Sequence, residues 1–108
     1  MNVSLTNDDS FDRDVLRADE PVLVEFVSTY SEEGRRLQPA FDGVAEQYAG
    51  RVTFVRYNTD DNSRVYQQAN IVALPTLALY EHGRETERVV GAISQADLSR
   101  LIVKHLRR

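Results

Sequence analysis

One serine beside two glutamates, a lone glutamate in an apolar run and two histidines carry the polar chemistry open to this chain, because its 108 residues include no cysteine. That absence excludes disulfides, iron–sulfur clusters, cysteine zinc sites, cysteine nucleophiles and dithiol redox chemistry carried by the chain alone. It also leaves the redox compartment unread. His82 falls in a predicted turn and His105 near the end of the last predicted helix, and neither has partners at metal-ligand spacing. Asp60-Asp61-Asn62 resembles a calcium loop only superficially, since the glycine and the closing glutamate are missing, and it reads as a helix cap. No metal and no cofactor is expected. Ser31, Glu32 and Glu33 stand where a helical stripe begins, which suits an N-cap followed by acids at the positive end of the helix dipole. Glu25 interrupts the apolar run 22–27, where a buried charge is costly unless paired. The five tyrosines are spread along the chain like core edges, not gathered into a platform for stacking bases.

The elements that must position these groups alternate in type. Phe11, Val15 and Leu16 mark a short helix, stopped by Asp19-Glu20-Pro21. Val22-Leu23-Val24-Glu25-Phe26-Val27 has the pattern of a central strand covered on both faces. Leu37, Phe41, Val44, Ala45 and Tyr48 form one stripe of a helix that starts near Ser31 and ends before Gly50, with Pro39 inside it predicting a bend. A second strand spans 52–57, and Asp60-Asp61-Asn62-Ser63 should cap a short helix through Val65, Tyr66 and Ala69. Thr76 to Tyr80, the turn 81–84 and Glu87 to Val90 read as a hairpin. Ser94 and Asp97 resemble a capping box before a last helix striped by Leu98, Leu101, Ile102 and His105. This order predicts one α/β domain over 1–108, with a central mixed sheet flanked by helices on both faces.

Charge narrows the partners. Thirteen basic residues against seventeen acidic ones give a net charge of −4, so nothing argues for nucleic acid or an anionic membrane as a partner. Residues 1–46 carry −7 and residues 47–108 carry +3. All but one of the basic residues are arginine, which fits codon bias better than guanidinium recognition. No apolar run reaches the roughly 18 residues of a membrane helix, and the first residues lack signal-peptide features, so a cytoplasmic monomer is expected.

Several segments together resemble thioredoxin from end to end: Leu5-Thr6, Ser10-Phe11-Asp12 through Asp19, Val22 to Phe26, Leu37-x-Pro39, Ala45-Glu46-Gln47-Tyr48-Ala49-Gly50, Asn58-x-Asp60, Leu74-Pro75-Thr76 and Val90-Gly91-Ala92-Ile93-Ser94. The resemblance implies the thioredoxin fold, which the order of elements predicts independently. It places the family's active-site segment WCGPC on Tyr30-Ser31-Glu32-Glu33-Gly34, where both cysteines are replaced. Thiolate attack on a disulfide followed by resolution through a second thiol is then impossible. Ser31 keeps the position of the attacking atom with an unactivated hydroxyl, and Gly34 keeps no heteroatom at the resolving position.

The resemblance also implies that Glu25 matches the family's buried proton-shuttling aspartate and Arg56 its lysine partner. With no dithiol to serve, a structural Glu25–Arg56 pair is expected. Leu74-Pro75 matches the cis-proline loop whose preceding residue pairs with an extended peptide, and Gly91-Ala92 matches the opposite wall of that groove. The expectation is therefore a cysteine-less, redox-inactive paralogue that is not an enzyme. It would bind a protein or peptide partner through Tyr30, Ser31, Glu32, Glu33, Ala73, Leu74, Pro75, Gly91 and Ala92, as an adaptor, chaperone or maturation factor. Two alternatives stand beside it: thiol-related chemistry using Ser31, and an inert or engineered scaffold.

Overall fold

The computed structural model describes residues 2–106. Five strands, β1 (Val3–Thr6), β2 (Val22–Val27), β3 (Thr53–Asn58), β4 (Thr76–Glu81) and β5 (Arg84–Val90), form one sheet in the order β1-β3-β2-β4-β5. β3 runs parallel to both β1 and β2, whereas β4 is antiparallel to β2 and β5. All six residues of β2 are buried, which is why this strand lacks the alternation of a one-sided strand. Helices α1 (Glu32–Gln47) and α3 (Gln95–Leu106) cover one face, and α2 (Arg64–Gln68) and a π-helical turn (Asp12–Leu16) cover the other.

The two cores follow from strand alternation. Leu23, Phe54, Leu77 and Leu79 pack against Leu37, Phe41, Val44 and Ala45 of α1 and Leu98 and Ile102 of α3. Val22, Val24, Phe26, Val55, Tyr57, Ala78 and Tyr80 point the opposite way, onto Phe11, Val15 and Val65. Phe11 sits edge-on to both Tyr57 and Tyr80. Glu25 and Arg56, register partners on β2 and β3, belong to the α1 face. α1 continues through Pro39, whose ring nitrogen has no proton for the Arg35 carbonyl.

Three local readings change. The first six residues carry no predicted strand, yet Val3–Thr6 pairs with β3 as a four-residue edge. Too short to show alternation by itself, it is defined by its neighbour. The hairpin is tighter than its sequence suggests: Glu81 pairs with Arg84, leaving His82 (φ 53°) and Gly83 (φ 80°) as a two-residue turn with both residues left-handed. β5 accordingly starts at Arg84, and a register shift between Leu79 and Tyr80 blurs its alternation.

The third concerns the cap of α2. Ser63 makes no side-chain cap bond, and Asp60 turns elsewhere. The cap is Asp8, more than fifty residues away: its carboxylate accepts from the Ser63, Arg64 and Val65 amides at 3.0–3.1 Å and from the Tyr57 hydroxyl at 2.6 Å. Burial opposes the charge on Asp8, but these bonds from Tyr57, Val65, Arg64 and Ser63 outweigh it and hold the carboxyl down at about 2. The Tyr57 hydroxyl is pushed up in turn, by burial first and by Asp8 second. A folded-state pKa below the unfolded value means stability present above the ordinary 3.8 and lost as pH falls through about 2. Asp8→Ala should therefore cost about 2 kcal/mol near neutral pH in urea melts, with the difference closing as the pH is lowered. An equal loss at all pH values would show that the carboxylate charge is not what the cap uses.

Candidate functional site

The loop before α1 is held from below. Asp60 accepts from the Ser28 hydroxyl at 2.8 Å and the Thr29 amide at 2.9 Å, and Asn58 donates its side-chain amide to the Thr29 hydroxyl at 3.1 Å. Bonds from Thr29 and Ser28 hold the Asp60 carboxyl below the usual carboxylate range. The strand-end residues Asn58 and Asp60 thus anchor the turn that presents Tyr30 and Ser31. Tyr30 is 84% exposed.

Ser31 is the N-cap of α1, and its Oγ accepts from the Gly34 amide at 3.0 Å. Among the described residues no histidine or carboxylate hydrogen-bonds to that hydroxyl, so nothing activates it as a nucleophile. Glu32 and Glu33 occupy the first turn as their sequence suggests, but they differ in what they do. Glu33 reaches across to the loop after β5, where its Oε2 accepts from the Ala92 amide at 3.2 Å. A Cβ placed on Gly91, whose φ is +91°, would sit 2.9 Å from the same oxygen. Glycine there serves both the left-handed backbone and the approach of this carboxylate.

The opposite loop supplies the other wall. The Leu74–Pro75 bond is cis, and the Pro75 carbonyl accepts from the Gly91 amide at 2.8 Å, which joins the two loops directly. The Ala73 carbonyl accepts from the Thr76 hydroxyl at 2.6 Å. Neither the N–H nor the C=O of Leu74 has a hydrogen-bond partner among the described residues. Pro75 is buried, Leu74 is half-buried, and Ala73 and Ala92 are exposed. Leu74, Pro75, Gly91, Ala92 and Glu33 are therefore brought together, with Ser31 and Glu32 on the same helix start as Glu33. Two apolar residues missed from the sequence flank these loops: Val72, 90% exposed, and Val90, 55% exposed. Val72 had a signal, since Ile71-Val72-Ala73-Leu74 is apolar throughout and too short to be buried on every side.

Beneath the site lies the ion pair. Arg56 Nε donates to Glu25 Oε1 at 2.6 Å, and Arg56 Nη2 reaches Asp42 at 3.3 Å. Glu25 is 1% exposed, and its Oε2 has no partner among the described residues. Burial raises the Glu25 carboxyl above its ordinary range, against the pull of Arg56. No cluster of side chains suited to a metal ion occurs among the described residues.

A mixed sheet with helices on both faces, a helix starting at the old WCGPC position and a proline loop facing it define a thioredoxin-fold protein whose redox dyad is missing. The comparisons name the family: the thioredoxin model matches residues 2–104, and the chain belongs to the thioredoxin family. It is 38% identical to thioredoxin 1 of Nostoc over 99 residues, covering 92% of each chain. It is 33% identical to a thioredoxin of Porphyra purpurea, covering 98% of this chain and 99% of the relative. It is likewise 33% identical to the chloroplastic M-type thioredoxin of Zea mays, covering 96% of this chain and 62% of that one. Without cysteine, this member carries no CxxC redox activity.

Proposed function

We propose that this chain is a non-catalytic member of its family that binds an extended peptide segment of a partner protein along Leu74-Pro75 and Gly91-Ala92, as an adaptor, chaperone or maturation factor. The observation that carries the reading is the unpaired backbone of Leu74, a donor and an acceptor on one residue at the edge of the two joined loops. An extended strand can satisfy both while placing alternate side chains on the flanking apolar surface. Tyr30, Val72 and Val90 offer that surface, and large apolar side chains at such exposure suit contact with another chain.

The two adjacent glutamates at the site differ in what holds them, not in charge. Glu33 is held against the Ala92 amide while Glu32 makes no such bond among the described residues, and both carboxylates favour a basic over an acidic segment. An exposed carboxylate of this kind contributes at most about 1 kcal/mol and acts mainly on association rate. The test is a titration of the isotope-labelled chain with a panel of short extended peptides of apolar, basic and acidic composition, followed by amide shifts. Apolar and basic peptides should shift Leu74, Gly91 and Ala92 in a saturable way. Shifts confined to other parts of the surface would sink the reading.

A further inference from the structure

The two edges of the sheet are finished differently. β5 carries Arg84, Glu85, Glu87 and Arg88 along its length and a register shift against β4, two devices that keep an edge strand from pairing with another chain. β1, at the opposite edge, has neither: Val3-Ser4-Leu5-Thr6 is uncharged, contains no proline and pairs with β3 without a shift. Its outer N–H and C=O groups have no hydrogen-bond partner among the described residues. Four residues make a short edge, but they leave it open.

The side chains beside that edge are apolar and acidic. Val3 and Leu5 pair in register with Phe54 and Arg56, so both lie on the α1 face. α1 lies over β3, where Phe41 meets Phe54 edge-on, and β1 is one strand further out. Val3 is therefore only partly buried, and Leu5 is 76% exposed. A groove of about 620 Å³ runs between β1 and α1, with Val3 and Leu5 on its strand side and Asp42 and Glu46 on its helix side. Arg56, the cation of this wall, is already shared by Glu25 and Asp42. Glu46 is exposed and makes no hydrogen bond or ion pair among the described residues. An open strand edge, an apolar strip and a net negative rim thus meet in one groove.

We propose that this edge receives an extended segment of a partner protein that carries apolar residues two apart and a lysine or arginine on the same side. The segment adds to the sheet as a further strand. Its backbone satisfies the outer groups of β1, its apolar side chains cover Leu5 and Val3, and its cation lies by Glu46. Charge selects this occupant over a second copy of the chain. Residues 2–7 contain no basic residue, so pairing β1 with its own copy supplies nothing for Glu46 and brings two negative rims together. An acidic segment meets the rim with like charge and is disfavoured for the same reason.

This surface is separate from the loops around Pro75 and Gly91, which belong to β4 and β5, so the two readings fail separately. The isotope-labelled chain is titrated with peptides of about seven residues in which valine alternates with threonine, ended by lysine, glutamate or glutamine on the valine side. Saturable amide shifts at Val3 to Thr6 are expected with the lysine peptide, at a concentration about fivefold or more below that needed with the glutamate peptide. The difference should close in high salt, and amide exchange at the outer groups of β1 should slow as the peptide binds. Leu5→Lys, at a position 76% exposed, gives β1 the kind of charge that guards β5; it should weaken the lysine peptide by about tenfold or more and leave the thermal melt unchanged. Glu46→Gln should reduce the preference for lysine over glutamate by about half or more. Equal affinity for the lysine and glutamate peptides would overturn the proposal, as would no saturable shift in β1 up to about 5 mM peptide. Unslowed exchange in β1, or a lysine peptide indifferent to Leu5→Lys, would overturn it as well. A concentration-dependent dimer of the free chain that Leu5→Lys abolishes would assign the edge to a second copy and overturn it too. Shifts confined to Leu74, Gly91 and Ala92 would overturn it while leaving the Pro75 groove reading standing.

Discussion

Arg56→Leu should destabilise the fold by about 3–5 kcal/mol at pH values where Glu25 is ionised, while Glu25→Leu should cost far less. The difference arises from what each change leaves behind. Removing Arg56 strands a carboxylate that is 1% exposed and already has one oxygen without a partner. Removing Glu25 leaves a guanidinium whose side chain is 22% exposed, which still holds Asp42 at 3.3 Å and lies 5.7 Å from the Phe41 ring. Its long stem lets the charge reach water.

The pH dependence has a definite sign. Burial already places the folded-state carboxyl of Glu25 above its ordinary value of 4.5, and Arg56 is what limits that rise. A raised folded pKa gives stability that is complete below the unfolded value and lost as pH rises through the folded one. Without Arg56 the folded value moves higher still, so the penalty of Arg56→Leu should be full in alkaline melts and shrink towards pH 4.5. Urea melts of both variants across that range measure it. Equal losses for the two variants in alkaline buffer, or a loss for Arg56→Leu that ignores pH, would show that the pair is not the buried, desolvated interaction described.

The parts of this molecule legible in its sequence are those with a period. β2 reads as a two-sided strand from six consecutive buried positions, and α1 from a stripe repeated over three turns. Leu98 and Ile102 mark α3, whose Ser94 hydroxyl accepts from the Asp97 amide at 3.1 Å as the capping pattern predicts. What escaped was long-range. No local pattern says that Asp8 caps a helix that begins at Arg64, or that Asp60, next to that helix in sequence, anchors Ser28 and Thr29 instead. A carboxylate can satisfy any nearby cluster of amides, and only the packed sheet decides which cluster is near. The same holds at the site. Glu32 and Glu33 look equivalent in the chain, yet only Glu33 has Ala92 opposite it, because the loop after β5 is drawn in by the Gly91–Pro75 bond.

That bond between Glu33 and Ala92 sets the second large expectation, which rests on the peptide-binding reading. The Ala92 amide is one of the donors an extended ligand would use on the wall facing Leu74, and in the free chain a carboxylate occupies it. A ligand must displace Glu33 before it can pair there. The hydrogen bond is exposed, so the displacement costs about 1 kcal/mol, and Glu33→Ala should tighten binding of a neutral extended peptide by roughly fivefold. For a basic peptide the gain should be smaller, since a nearby cation loses an attractive charge in the same substitution.

Leu74→Asp should act in the opposite direction and more strongly. Losing a half-buried leucine contact while setting a carboxylate against the ligand backbone should cost about 2–3 kcal/mol, roughly 30- to 150-fold in affinity. Leu74 also packs against the core beside α2, so part of its effect can pass through the fold. Val72→Asp separates the two, because Val72 is 90% exposed and its replacement leaves the core intact. Binding measured by calorimetry, with thermal melts of each variant alongside, should rank Glu33→Ala tightest, then the unaltered chain, then Val72→Asp, then Leu74→Asp. A peptide bound with the same affinity by all four chains would place its contact away from the Pro75 and Gly91 loops and end the groove reading. A peptide weakened by Leu74→Asp but indifferent to Glu33→Ala would instead show that ligands pair with Leu74 alone and leave the Glu33–Ala92 bond in place.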